Sequence, residues 1–252
     1  MPLIRAILKE DIYNDRYGRP RILNALLLKG IKISESTLYR VLKSAELGVK
    51  QKRPKGLTKA EKSAYKNDNL LNGNFRTQRP NEKLVSDITQ LSTAEGTLYI
   101  SGVFDCFDSK CVGLSMGSHM QTGLIIASLQ MAITQENIKA ATFRSDRGNQ
   151  YTSQAFRNYI AGTKIVQSMS HAGSSCYGNA KCESMWGRFK EEAIHDRFNT
   201  KKMSMAAVKR LVFHYFMCYW NNRRICHAIG GLPPQLKRDQ YYGKTASRGS
   251  VA

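Results

Sequence analysis

Acidic residues are scarce in this chain: 19 Asp and Glu stand against 39 Lys and Arg in 252 residues, a formal net charge of +20. A surplus of that size repels itself unless a polyanion offsets it, and nucleic acid is the foremost such partner, well ahead of an anionic membrane. A merely basic, ribosomal-type protein is the plain alternative. Long apolar runs are missing too. No stretch approaches the roughly 20 residues that cross a bilayer, and no secretory start opens the sequence. The cysteines (Cys106, Cys111, Cys176, Cys182, Cys218 and Cys226) form no compact framework. They are expected as reduced, mostly buried thiols of a cytoplasmic, nucleoid-associated protein. His214, Cys218, Cys226 and His227 have ligand chemistry without zinc-like spacing, which favours packing. Hydrophobic residues make up 42% of the chain, enough for one large or two smaller domains with a sizeable core.

Basic residues concentrate at the start. The first 60 residues hold 14 Lys and Arg against 5 acids. Leu3, Ile4, Ile7 and Leu8 have helical spacing, and a polar stretch runs on to Tyr17-Gly18. A second helix is predicted from Pro20 or Arg21 to Lys29, with Ile22, Leu23, Leu26 and Leu27 inward and Gly30 ending it. Ser34 caps a third, with Leu38, Val41 and Leu42 buried and Gly48 past its end. Two short helices around a Gly-containing turn outline a helix-turn-helix over 1–50. Its third helix would present Ser36, Tyr39, Arg40 and Lys43 to DNA, while Arg19 and Arg21 hold phosphates. A plain three-helix bundle with a charged face is the bland reading. Residues 51–80, opening with Gln51-Lys52-Arg53-Pro54-Lys55, read as a basic linker whose Lys52, Arg53 and Lys55 track the phosphate backbone.

Three carboxylates stand out against this basic background: Asp87 in Val85-Ser86-Asp87-Ile88-Thr89, Asp146 in Ser145-Asp146-Arg147-Gly148, and Glu183 in Asn179-Ala180-Lys181-Cys182-Glu183. Hard divalent cations take oxygen ligands, and a carboxylate cluster holding two of them suits in-line attack on a phosphodiester. The pattern around Asp87 is strand-like, and strands follow over Thr97–Phe107 and Cys111–Met116, so a meander is expected. A helix carries Ile125, Leu129 and Ile133. A fourth strand, Ala141–Ser145, ends at Asp146, where open sheets bind ligands. Ser153 caps a helix with Phe156 and Ile160, and Ile165-Val166 begins a fifth strand. After a Gly- and Ser-rich loop, Asn179 opens a long helix with Glu183 in its first turns. Trp186 and Lys190 lie within helical reach of it. Each acid alone has an ordinary explanation as an edge charge, a turn former or a helix-dipole partner. Their joint placement does not.

These residues carry a family resemblance. The chain resembles the catalytic subunit (OrfB type) of IS-three-family insertion-sequence transposases, in the DDE transposase and retroviral integrase superfamily, from about Tyr17 to Lys237. Its carriers are Val85–Thr89, Leu98-Tyr99-Ile100, Ser145–Ser153, Gln167–Ser170, Asn179-Ala180 with Glu183-Ser184, and Tyr219-Trp220-Asn221-Asn222-Arg223-Arg224 with His227. The resemblance implies an α/β, RNase H-like catalytic core over 81–236, with a mixed five-stranded sheet and flanking helices. The all-α head precedes that core and a basic tail over 237–252 follows it. It also implies two Mg²⁺ (or Mn²⁺) ions on Asp87, Asp146 and Glu183. Arg147, Asn149, Lys190 and Arg223 complete the candidate DNA contacts. Fifty-eight residues separate the two aspartates and 36 separate Asp146 from Glu183, one more than usual in the family. Ser174-Ser175 is the expected site of the extra residue. Leu84 and Leu114 replace a frequent tryptophan, Ser109 a common arginine, and Gly178 an acid.

The implied activity is cleavage at insertion-sequence ends followed by strand transfer of the freed 3′ hydroxyl. A homodimer or larger assembly on double-stranded DNA is implied, with an OrfA-type fusion or partner as one working form. Two other readings stand beside it: a catalytically silent, sequence-specific DNA-binding protein, and a structure-selective nuclease of the same fold.

Overall fold

A computed structural model describes residues 1–47, 75–146, 148–169 and 180–243. The chain divides into two compact units, Met1–Asn67 with Arg224–Leu232, and Asp68–Arg223 with Pro233–Ala252. Among the described residues no helix is long and apolar enough to cross a membrane.

The first unit is helical: α1 (Pro2–Lys9), a 3₁₀ turn (Asn14–Arg16), α2 (Arg19–Leu28) and α3 (Glu35–Ser44). Pro20 suits the first turn of α2, where its missing N–H has no helical partner to lose. Gly30, at φ 79°, ends that helix, with Gly30 N–H bonded to Leu27 O and Ile31 N–H to Leu26 O. Ser34 Oγ accepts from Thr37 N–H at 3.1 Å, the predicted cap of α3. At the other end of α3, Glu46 takes the left-handed position at φ 53°, while Gly48 lies outside the described residues. Ile4, Ile7, Ile22, Leu26, Leu38 and Leu42 form the core as the periodicity predicts; Leu27 is instead 45% exposed, and Ala25 is buried. The core also takes in Tyr13, Asn14 and Tyr17 from the polar stretch. Part of this unit comes from far along the chain. Cys226 bridges to Leu232, and Ile225 N–H reaches Tyr17 Oη at 3.3 Å.

The second unit is built on a five-stranded sheet in the order β3-β2-β1-β4-β5. Its strands are β1 (Lys83–Thr93), β2 (Gly96–Asp105), β3 (Cys111–Gly117), β4 (Ala141–Ser145) and β5 (Ile165–Met169). The first three form the predicted antiparallel meander; β4 joins β1, and β5 joins β4, in parallel. Alternation along the strands sorts two faces. One face carries Leu84, Val103, Val112 and Phe143 against α4 (Thr122–Glu136) and α6 (Gln154–Ala161). The other carries Val85, Asp87, Gly102 and Phe104, with Asp87 directly paired to Gly102.

Against that second face an aromatic cluster gathers Trp186 and Phe189 of α7 (Ala180–Phe189) with Phe216 and Trp220. Phe104 meets both Trp186 and Phe216 edge-on. Burying each such ring contributes roughly 2–3 kcal/mol. The segment 203–220, whose apolar Val208, Leu211, Val212, Tyr215, Phe216 and Tyr219 predict one amphipathic helix, is α8 (Met205–Phe213), capped by Ser204, running into a π-helical stretch from His214 to Trp220. It is core on the predicted side, with Val208, Val212, Tyr215, Phe216 and Tyr219 buried.

Residues expected to begin a basic tail fold instead into α9 (Pro234–Tyr241). The reason lies in Arg238, 3% exposed, which binds Asp105, Asp108 and Glu136 together. Of the cysteines, Cys106, Cys111, Cys182 and Cys226 are buried thiols and Cys218 is exposed; Cys176 lies outside the described residues. His214 and His227 are exposed as well, so packing accounts only for Cys226 in that group of four.

Candidate active site

Asp87 sits in mid-strand on β1, between Ser86 and Ile88. Its neighbours Val85 and Leu91 on the same face are buried, and it is half-buried itself. Burial pushes its carboxyl up from 3.8 to about 7, helped by the charges of Asp146 and Glu183 and opposed by a hydrogen bond from the Ile88 backbone and by Lys190. The three acids and Lys190 therefore share one electrostatic neighbourhood, although 58 and 36 residues separate the acids in sequence.

Asp146 reaches that neighbourhood from the carboxyl end of β4. Its Oδ1 accepts from Gly148 N–H at 3.0 Å, which turns the chain into the single helical turn α5 (Asn149–Thr152). Behind the sheet, Tyr151 Oη and Ser86 Oγ hydrogen-bond at 2.8 Å in a buried contact, and Gln167 Nε2 donates to Tyr151 O at 3.0 Å. This lacing ties the Asp146 turn to β1 one residue from Asp87. Ser86, Tyr151 and Gln167 all fall within the sequence motifs, yet the sequence assigns none of them a role. Their signal is a polar residue in an apolar strand and an aromatic one turn past an acid, and both need the tertiary pairing to mean anything.

Glu183 is supplied by α7. Cys182, Met185, Trp186 and Phe189 take the buried face at offsets of three, four and seven. That leaves Glu183 exposed on the flank and Lys190 half-buried at the start of a π-helical turn, Lys190–Ile194. Trp186 is thus core, while the charges of Glu183 and Lys190 act on Asp87. Lys181 Nζ anchors the first turn by donating to Cys106 O at 2.7 Å. Within the π turn, buried Glu192 accepts from Tyr215 Oη at 2.7 Å, which holds the end of α7 on the aromatic cluster.

Among the described residues, no group of three or more His, Cys, Asp or Glu side chains closes tightly enough to hold a metal ion. The acids share a field without meeting at one point. Their chemistry still fits a hard divalent cation: all donors are carboxylate oxygens, and Asp87 carries a charge that its surroundings disfavour and a cation would relieve.

The other predicted residues fall into four groups. On α3, Ser36, Tyr39, Arg40 and Lys43 are all exposed and lie on one face, as a groove-reading helix requires. Ser36 Oγ is also bonded to Ser34 Oγ at 3.0 Å. Arg19 is exposed with its guanidinium 5.1 Å from the Tyr39 ring centre, whereas Arg21 is half-buried over Tyr17 at 5.4 Å. Asn149 is exposed at the start of α5, and Arg223 is exposed after the π-helical stretch with its N–H on Tyr219 O. Lys52, Arg53, Lys55 and Arg147 lie outside the described residues. Asn221, two residues before Arg223, is structural, since its amide makes two 2.9 Å hydrogen bonds to the Cys111 backbone and so pins β3.

The family model for the integrase core domain matches residues 77–175. The chain is 32% identical over 235 residues to the insertion element IS600 uncharacterized 31 kDa protein of Shigella sonnei, covering 92% of this chain and 85% of that protein. It is also 32% identical over 227 residues to the transposase InsF for insertion sequence IS3A of Escherichia coli (strain K12), covering 87% of this chain and 76% of that one. Among solved structures, a chain of the simian T-cell lymphotropic virus intasome, in complex with PP2A regulatory subunit B56 gamma, superposes with a TM-score of 0.54. The match is 15% identical and covers 94% of this chain and 74% of that chain. At that identity the likeness is one of fold.

Proposed function

The chain belongs to the IS-three family of insertion-sequence transposases, enzymes with an integrase core, and we propose that Asp87, Asp146 and Glu183 are the carboxylates on which its strand transfer depends. The observation that carries this reading is the shared field of the three acids, centred on Asp87 in mid-β1, with Asp146 from the carboxyl end of β4 and Glu183 from α7 acting on it. Asp87, on the central strand, would contact both of two Mg²⁺ (or Mn²⁺) ions, and Asp146 and Glu183 would each hold one. Bound there, the ions would supply Lewis-acid charge at the attacking and leaving oxygens of an in-line displacement.

The protein's own part is positioning. The Asp146 turn and the first turns of α7 would bracket the scissile phosphodiester, and Lys190 beside Asp87 would pair with a phosphate oxygen. Water attacks first and frees a 3′ hydroxyl at the element end; that hydroxyl then attacks a second phosphodiester. One site serves both steps because each is displacement at phosphorus. The exposed face of α3 would read the element end, with Ser36 and Arg40 toward base edges and Arg19 and Lys43 on phosphates. A single set of acids handles one strand at a time, so two or more copies would assemble on the double-stranded DNA, in the nucleoid.

The test is incubation of the chain with a labelled element-end duplex and Mg²⁺. Wild type should give cleaved and joined strands, and Asp146→Asn should give neither. Hydrolysis without joining would replace this reading with a nuclease. Binding without any metal-dependent product would leave a silent DNA-binding protein, unless adding or fusing an OrfA-type partner restores joining.

A further inference from the structure

Gly102 lies directly opposite Asp87 in the β1–β2 pairing, and paired residues of antiparallel strands share a face. Its backbone is not in the left-handed region, so conformation does not call for glycine there. Space does. A Cβ at this position would stand 2.8 Å from Phe104 Cε2 and 2.9 Å from Trp186 Cη2 and Cζ2, closer than real contacts allow. Neither ring has room to yield. Trp186 is 4% exposed and meets Phe104 and Phe216 edge-on, with centroids 5.5 and 5.3 Å apart. The indole therefore rests on the strand beside Asp87, one helical turn along α7 from Glu183.

We propose that Gly102 and Trp186 form a spacer pair that sets the height of α7 above the sheet and so the reach of Glu183 toward Asp87. Both are positioning residues: they act on the acids through the placement of α7. The proposal rests on the reading of Asp87 and Glu183 given above. A methyl group at residue 102 pushes the indole, and the start of α7 with it, away from β2, while Asp87 stays on its strand. Displacements of about 1 Å in such sites cost on the order of 100-fold in rate.

Gly102→Ala is compared with Leu129→Ala, a truncation in the core of the opposite face that controls for plain destabilisation. Mn²⁺ binding is followed by the rise in Tm, and strand transfer is measured at saturating Mg²⁺. Gly102→Ala should raise the Mn²⁺ concentration for half-maximal stabilisation about tenfold and lower strand transfer roughly 100-fold, with element-end DNA affinity unchanged. The double variant Gly102→Ala with Trp186→Leu, which removes the indole from the clash and leaves only Phe104 in it, should recover part of both. Leu129→Ala should lower Tm and leave the Mn²⁺ midpoint where it was. If Gly102→Ala does not fold, Trp186→Leu alone decides: α7 settles closer and the Mn²⁺ midpoint must move. Equal Mn²⁺ midpoints in Gly102→Ala and Leu129→Ala, no recovery in the double variant, or no movement in Trp186→Leu would each overturn the spacer. Failure of the underlying reading looks different, since Asp87→Asn and Glu183→Gln would then keep full Mn²⁺ stabilisation.

Discussion

At Asp87 the surroundings that suit a hard cation also make the side chain a poor anion. Its carboxyl titrates near 3.8 in an unfolded chain and at about 7 in the fold, chiefly through burial. Between those values the folded state keeps a proton that the unfolded state has lost. The favourable contribution is therefore full below pH 3.8 and is lost as pH rises through 7. In chelator, Asp87→Asn should stabilise the protein more at pH 8 than at pH 5, by up to about 3 kcal/mol, the linkage over the two pH units between 5 and 7. Divalent cation should narrow that gap by raising the wild-type Tm alone. Urea titrations at the two pH values check it, and an equal effect at both would show that the acid is not strained. The sequence marked Asp87 as an acid in a strand. It could not show the strain, because burial and the fields of Asp146 and Glu183 exist only once β1, β4 and α7 are together.

Among the elements, α9 depends on one side chain. Arg238 draws Asp105 from the end of β2, Asp108 from the following turn and Glu136 from the end of α4 into one buried cluster, with Lys110 Nζ also on Glu136 at 2.6 Å. Burial and the charge of Asp108 raise the Asp105 carboxyl to about 6 against the pull of Arg238. Removing the arginine strands Asp105 and Asp108 in the interior and leaves Glu136 to Lys110, so Arg238→Ala should cost about 3–5 kcal/mol in urea unfolding. Arg238→Met with Asp105→Asn should regain part of it. A loss under about 1 kcal/mol for Arg238→Ala would mean that α9 is held by apolar contacts such as Phe107 with Tyr241. Periodicity found α3, α4 and α6, each of which buries one face, and short apolar runs between turn residues found the five strands, although β2 is buried on both faces. It missed α9, whose eight residues carry one buried charge in place of an apolar stripe. It placed Tyr215, Phe216 and Tyr219 on the buried face of one helix but missed the π-helical character of Lys190–Ile194 and His214–Trp220, and with it Trp220 as a member of the same cluster.

For the molecule as a whole, the net charge of +20 sets how it meets DNA. Binding to an element-end duplex should weaken steeply with salt, because each phosphate contact releases condensed counterions. Lys43→Ala should lower the log–log salt slope by about one without changing sequence preference. Arg40→Ala should cost about 1–3 kcal/mol and relax preference at one position. Fluorescence anisotropy across a salt series with matched and mutated ends separates the two. Identical slopes for Lys43→Ala and wild type would remove α3 from the DNA.

The sequence by itself determined the basic, DNA-directed character, the order of strands and helices, the caps at Ser34 and Ser153, and the three acids with their motifs. Those follow from charge, periodicity and short-range hydrogen bonding, which act over a few residues. Only the tertiary structure decided that Arg224–Leu232 completes the N-terminal unit and that Tyr151 laces the Asp146 turn to β1. It also decided that Arg238 is buried and that Gly102 leaves room for Trp186 beside Asp87. Each of these depends on atoms distant in sequence meeting at contact distance, and no local pattern encodes that meeting.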